Sequence, residues 1–181
     1  MPGAAYLRGE DVTLRTVEEE DLPFLRDTIN DPDVRRYLPS RTPINLDQER
    51  EFYEGVVSAE GAVNLLICVD GDSAGTIGLE PADSVSGSSE IGLFLSPEFW
   101  GEGYGTEASQ LITEYAFAER RLHRVTARVL EPNVGSRRIW EKLGYRHEAT
   151  FREADFAAGE YVDVYLYAVL AEEWFDERSE E

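Results

Sequence analysis

One lysine, one cysteine, one methionine and two histidines are all that this 181-residue chain holds of those residue types, and each scarcity closes off a class of protein. A lone cysteine, Cys68, excludes a disulfide within the chain; inside the apolar run VNLLICVD it reads as a small core residue. No apolar run approaches the ~20 residues needed to cross a bilayer, and the opening MPGAAYLRGEDV has no apolar signal region. A cytoplasmic location without a membrane partner is therefore expected. His123 and His147 stand far apart with no cysteine or carboxylate cluster beside them, which argues against a metal. Bases are scarce as well: 17 against 37 acids leave a net charge of −20, the wrong sign for a nucleic-acid binder, which needs a basic face to displace counterions from phosphates. Repeats and low-complexity linkers are absent too. With 42% hydrophobic content, the length suffices for one sizeable core, so residues 1–181 are expected to form a single domain.

An acidic composition with Lys142 as its only lysine is similar to that of proteins from salt-loving organisms, where a Debye length of about 3 Å at molar salt screens self-repulsion. An ordinary acidic enzyme is the other reading.

What is present follows two periods. Alternation in DVTLRTV (11–17) predicts a strand, followed by a helix opened by the acids of EEEDLPFLRDTIN. DPDVRRYLPS predicts a short helix closed by Pro39, and a further helix is expected over 46–59. Between 63 and 97 lie three β-type runs, VNLLICVD, AGTIGLEP and EIGLFLSP, which read as an antiparallel meander. Tyr104, Ala108, Leu111, Ile112, Tyr115 and Ala116 share one helical face, predicting a helix over 104–122. HRVTARVL (123–130) reads as a strand, 133–143 as a helix stopped by Gly144, and 145–155 with 160–170 as a hairpin. The charged tail 171–181 is expected to fray, with Trp174 and Phe175 either packing on the parent domain or anchoring a dimer, so monomer and homodimer both stay open.

The stretch SPEFWGEGYGTEA (96–108) places Gly101, Gly103 and Gly105 at a strand-to-helix junction. Glycines there let backbone N–H groups approach a ligand without Cβ atoms in the way, and with the positive end of the following helix they make a site suited to a pyrophosphate. The alternative is a flexible turn without a ligand. A Walker loop is excluded because no Gly-Lys pair exists, and a dinucleotide fingerprint fails because Thr106 falls where its third glycine belongs. A second signal is charge: between Arg120 and Arg146 eight bases face two acids, a +6 island in a −20 chain. Either these bases hold an anion or they pair with nearby acids.

Together, EIGLFLSPEFWGEGYGTEA and HRVTARVLEPNVGSRRIWEKLGYRHEAT resemble the GNAT acetyltransferase superfamily, and within it the branch of ribosomal-protein N-terminal acetyltransferases. The likeness spans about residues 10–170. It implies an α+β GNAT fold: a central, mixed, mostly antiparallel twisted sheet of about six to seven strands with helices on both faces. It also implies acetyl-CoA as acyl donor and an amine acceptor, either a protein N-terminus or a small amine such as an aminoglycoside, polyamine or amino acid. A non-catalytic acyl-CoA-binding module is the third possibility. The family's acetyl-CoA motif falls on Trp100, Gly101, Glu102, Gly103, Tyr104, Gly105 and Thr106, whose backbone N–H groups would take the pyrophosphate. Leu95 and Ser96 would pair through backbone with the pantetheine arm, Asn133 would lie near it, and Arg137, Arg138 and Lys142 are candidates for the outer phosphates. Trp100 replaces the usual Gln or Arg, and Trp140 replaces the tyrosine acid of many members.

Transfer to an amine needs the amine uncharged and the leaving thiolate protonated. An α-amine, with a pKa of about 7.7–8.0 against about 10.4 for lysine, asks little of a base. Glu90, opening the strand before the glycine loop, is the candidate base or else a solvated strand-end acid. Ser136, one helical turn beyond Asn133, is the candidate proton donor or else bonds its own helix; Asn133 also suits an N-cap. Tyr37 and Tyr161 are candidates to line the amine site, or are packing residues.

Overall fold

Eight strands form one sheet in the order β1-β2-β3-β4-β5-β6-β8-β7 in the computed structural model, which describes residues 3–39, 41–83 and 85–179. Ser40, the last residue of DPDVRRYLPS, Ser84, between the second and third β-type runs, and the last two residues of the tail lie outside the described residues. The strands are β1 (Ala5–Arg8), β2 (Val12–Thr16), β3 (Val63–Val69), β4 (Asp72–Leu79), β5 (Ser88–Leu95), β6 (Arg124–Leu130), β7 (Arg146–Ala157) and β8 (Glu160–Leu170). The expected six to seven strands become eight because β1, a four-residue edge strand with alternating exposure, is too short to register as a periodic run.

Helices cover both faces. On one, Ala108, Ile112 and Ala116 of α4 (Tyr104–Ala118) are fully buried in the main core with Leu14, Leu65, Ile67, Ile77 and Val125. On the other, Leu25 of α1 (Leu22–Asn30) packs with Leu66 and Cys68. Alternate residues of β3 thus enter different cores, which is why its sequence is a continuous apolar run rather than an alternating one. Cys68 is buried there as a packing group, and burial pushes its thiol pKa up.

Several helix ends differ from the sequence expectation, beginning with the short helix expected to close at Pro39, which ends at Arg35. The helix read over 46–59 is α-helical only from Leu46 to Phe52 (α3, after the four-residue α2, Pro32–Arg35) and continues as a wider turn, Tyr53–Val57, in which the Ser58 N–H reaches the Tyr53 carbonyl. α4 stops at Ala118 rather than 122: Arg121 takes a left-handed φ of 55° and the Leu122 N–H bonds back to the Ala116 carbonyl, closing the helix. The tail does not fray where described. Residues Ala171–Ser179 form α6, and Trp174, 0% exposed, donates its indole N–H to Glu114 at 2.7 Å and sits 6.2 Å from the Phe117 ring. α5 (Val134–Lys142) completes the set, and none of these helices is long and apolar enough to cross a membrane.

Six of the seven strand pairings are antiparallel; β5 and β6 alone run parallel, and only over Ser88–Glu90 against Arg124–Thr126. Beyond Glu90 the two diverge, β5 staying with β4 and β6 with β8. The sheet therefore opens as a wedge between them.

Candidate active site

A cleft of about 490 Å³ lies along β5 past the point where the two strands part, in front of the glycine loop. One wall is the free edge of β5. The Glu80 N–H bonds the Glu90 carbonyl and the Ser96 N–H bonds the Ala74 carbonyl, so the alternation of an antiparallel ladder turns the amide groups of Leu93 and Leu95 toward the wedge. Leu93 was not read from the sequence as a site residue, yet it shares this edge with Leu95. Ser96, which was, has its N–H engaged with Ala74 and does not line the cleft. The Leu95 carbonyl accepts the indole N–H of Trp100 at 2.9 Å. Trp100 thereby ties the loop to the strand it follows, a role that a large donor side chain at this position can fill without touching a phosphate.

Of the three loop glycines, two are needed for conformation. Gly101 and Gly103 have φ of 84° and 94°, a region that side chains with a Cβ occupy at a cost of about 1–2 kcal/mol. Gly105 lies inside α4, where an added Cβ would come within 2.9 Å of Ile139 on α5. It sets how closely two helices pack. No side chain caps α4, and among the described residues the N–H groups of 101 to 105 have no acceptor, so Glu102 and Tyr104 contribute backbone donors although neither lines the cleft. The Thr106 N–H already bonds the Gly103 carbonyl. Five free donors at the positive end of a 15-residue helix fit an anion.

The opposite wall is α5. Asn133 caps it, its side-chain oxygen accepting the Ser136 N–H at 3.2 Å, and both residues line the cleft. Trp140, 1% exposed, donates its indole N–H to Ser136 Oγ at 3.3 Å. One acceptor lone pair of the oxygen is taken from behind, and the hydroxyl proton is left to be donated elsewhere. Of the eight bases in the +6 window, Arg124, Arg128, Arg137 and Arg146 pair with Glu148, Glu90, Glu131 and Glu173. Among the described residues the other four have no ion pair, and two of them, Arg138 and Lys142, one helical turn apart on α5, line the cleft. Arg137 does not; its guanidinium lies 5.0 Å over the Tyr165 ring and it donates to the Glu131 carbonyl.

Val34, Tyr37 and Leu38, from α2 and the turn after it, and Phe94 of β5 also line the cleft, and Tyr37 packs against the cluster of Leu130, Ala157 and Val162 as well. Val34, Leu38 and Phe94 were missed in the sequence, where a four-residue helix far from the glycine loop carries no mark of its destination. Tyr161 is 70% exposed, packs edge-on against Phe156 at the hairpin, and does not line the cleft. Glu90 sits at the vertex of the wedge, outside the lining. Its side chain is 30% exposed and 3.2 Å from Arg128. Burial outweighs the pull of Arg128 and raises its pKa, the Glu80 charge adding to the rise.

A glycine loop opening an uncapped helix, a strand edge released by its parallel neighbour, and a cationic helix beside both accord with what known proteins show. The acetyltransferase (GNAT) domain model matches residues 11–146. N-acetyltransferase p20 of Bacillus licheniformis is 30% identical over 170 residues, covering 91% of this chain and 96% of that one. Spermidine N(1)-acetyltransferase of Escherichia coli is 25% identical over 177 residues, covering 98% and 92%. A GNAT-family acetyltransferase structure from Bacillus anthracis superposes with a TM-score of 0.80 at 28% identity, over 92% of this chain and 99% of that one. The chain belongs to the GNAT acetyltransferases, enzymes that take their acyl group from acetyl-CoA.

Proposed function

We propose that this enzyme acetylates protein N-terminal α-amines by direct transfer. One observation carries the choice of acceptor: among the described residues none that lines the cleft is acidic, and Glu90, at the wedge vertex, is already paired with Arg128. A polyamine would bring several ammonium groups into a pocket lined by Val34, Tyr37, Leu38 and Phe94, with no charge to meet them. A peptide brings one amine, half of it neutral near its pKa of about 7.7–8.0.

Acetyl-CoA supplies the activated acetyl group. Backbone N–H groups of 101–105, with Arg138 and Lys142, hold its phosphates, and the Leu93 and Leu95 amides align the arm. Asn133 fixes the start of α5 beside it. Tyr37 borders the amine. Glu90, five residues and about 16 Å of strand before Leu95, is the base and works through water rather than by contact. Ser136, its oxygen held by Trp140, donates the proton to the departing thiolate in place of the missing tyrosine. A second reading, a small amine such as spermidine, is supported by the Escherichia coli relative and by the acidic surface.

Calorimetry with acetyl-CoA, in low and molar salt and with NAD as control, comes first. Saturable binding of acetyl-CoA alone is expected, followed by faster thiol release with N-terminal peptides than with spermidine or an aminoglycoside. Turnover of spermidine but not of any peptide would replace the N-terminal reading with the second one.

A further inference from the structure

Three glycines lie in the two strands that run to the cleft, and two of them are dictated by packing. A Cβ on Gly75 would fall 2.1 Å from the Phe94 carbonyl oxygen, and one on Gly78 would fall 2.6 Å from the Asn64 side-chain oxygen. Gly92, paired with Gly78 in the middle of β5, is different: a Cβ there would meet nothing within 4 Å, and its φ is not left-handed. Neither space nor conformation asks for glycine, which weakens a strand interior and marks places where a ligand approaches backbone closely. Yet Gly92 is exposed in a central strand, two residues past the point where β5 and β6 part at Glu90–Thr126.

Strand alternation puts Gly92 on the same face as Glu90 and Phe94. Those two side chains are about 13 Å apart along the strand, with only backbone between them. The result is a trough that starts at the Glu90–Arg128 pair, is bordered by Asn64 over Gly78, and ends at Phe94 in the cleft wall. We propose that Gly92 is a specificity-determining position, its missing side chain leaving the space in which the acceptor's amine and its first attached carbons lie. The acceptor class is a primary amine whose neighbouring carbon carries a side chain, as in a peptide N-terminus, for which a narrower trough would not serve. This rests on the acceptor reading above.

The test compares wild type with Gly92→Ala and Gly92→Val, using acetyl-CoA and two peptides that differ only in beginning with Gly or Val. Turnover by the wild type establishes the acceptor reading independently of the variants; if spermidine is the acceptor instead, the same variants are run with spermidine and a bulkier N-alkyl analogue. Acetyl-CoA affinity is expected to be unchanged and thermal stability equal or higher. The acceptor KM should rise about tenfold in Gly92→Val, and Gly92→Ala should favour the Gly peptide over the Val peptide relative to wild type. Kinetics within twofold of wild type in both variants would overturn the proposal, as would a fall in kcat alone with KM and peptide preference unmoved, which would assign the space to water instead. Should Gly92→Val not fold, Gly92→Ala alone decides by the shift in peptide preference.

Discussion

Glu90 is where the chemistry of single residues can be tested most directly, because its environment pulls in two directions. Burial raises its pKa and Arg128 lowers it, with the net shift upward, so the carboxyl holds a proton more readily than an exposed glutamate and is a stronger base once ionised. For Glu90→Gln the rate should be lower than wild type by about tenfold near pH 6.5, where the amine needs a base, and should converge on wild type near pH 9, where an α-amine has lost its proton unaided. A pH-independent ratio would remove the base. Ser136→Ala should lower kcat with acetyl-CoA affinity unchanged, because Asn133 continues to cap α5 through the Ser136 backbone rather than its side chain. Unchanged kcat in that variant would mean that the thiolate leaves without a proton donor. At this scale the sequence was readable where neighbours in the chain are neighbours in space: Asn133, Ser136 and Trp140 lie on one helix and meet as their spacing dictates. It was not readable for Arg137 against Arg138. Adjacent helical residues point about 100° apart, and which of the two faces the cleft depends on how α5 is rolled against the sheet.

The elements divide the loop's glycines by role, and the division has a measurable consequence. Gly103→Val places a β-branched residue at φ 94° in open space, so the loop must change shape while no core atom moves. Acetyl-CoA affinity should fall at least tenfold by calorimetry, with the unfolding transition still cooperative. Gly105→Val has an ordinary φ but drives Ile139 and α5 away, so it should lower thermal stability as well as affinity. If Gly103→Val binds acetyl-CoA normally, the phosphate loop is misassigned. The motif itself was legible because strand, loop and helix are consecutive. The wedge was not, since it depends on β5 and β6 pairing for three residues and then parting across an intervening helix, a long-range register no local period encodes. Nor was the order of α6: its composition is that of a solvated tail, and one tryptophan reaching Glu114 and Phe117 decides otherwise.

Across the whole molecule two charge distributions oppose each other, and salt should separate them. A net charge of −20 destabilises the compact state by self-repulsion, which acts over about 30 Å at 10 mM salt and about 10 Å at 0.1 M. The cleft contributes the opposite sign, Arg138 and Lys142 beside five free N–H donors. Between 10 mM and 1 M sodium chloride the melting temperature is therefore expected to rise, steeply below about 0.2 M where the Debye length shrinks fastest, while acetyl-CoA affinity falls as the same ions screen the phosphates from the two bases. Differential scanning calorimetry and titration calorimetry on one preparation read both. A melting temperature that is flat in salt would show that the acids are spaced widely enough not to repel, removing the argument for a salt-adapted surface. An affinity that is flat would show that backbone donors alone carry the phosphates, leaving Arg138 and Lys142 without a part in binding.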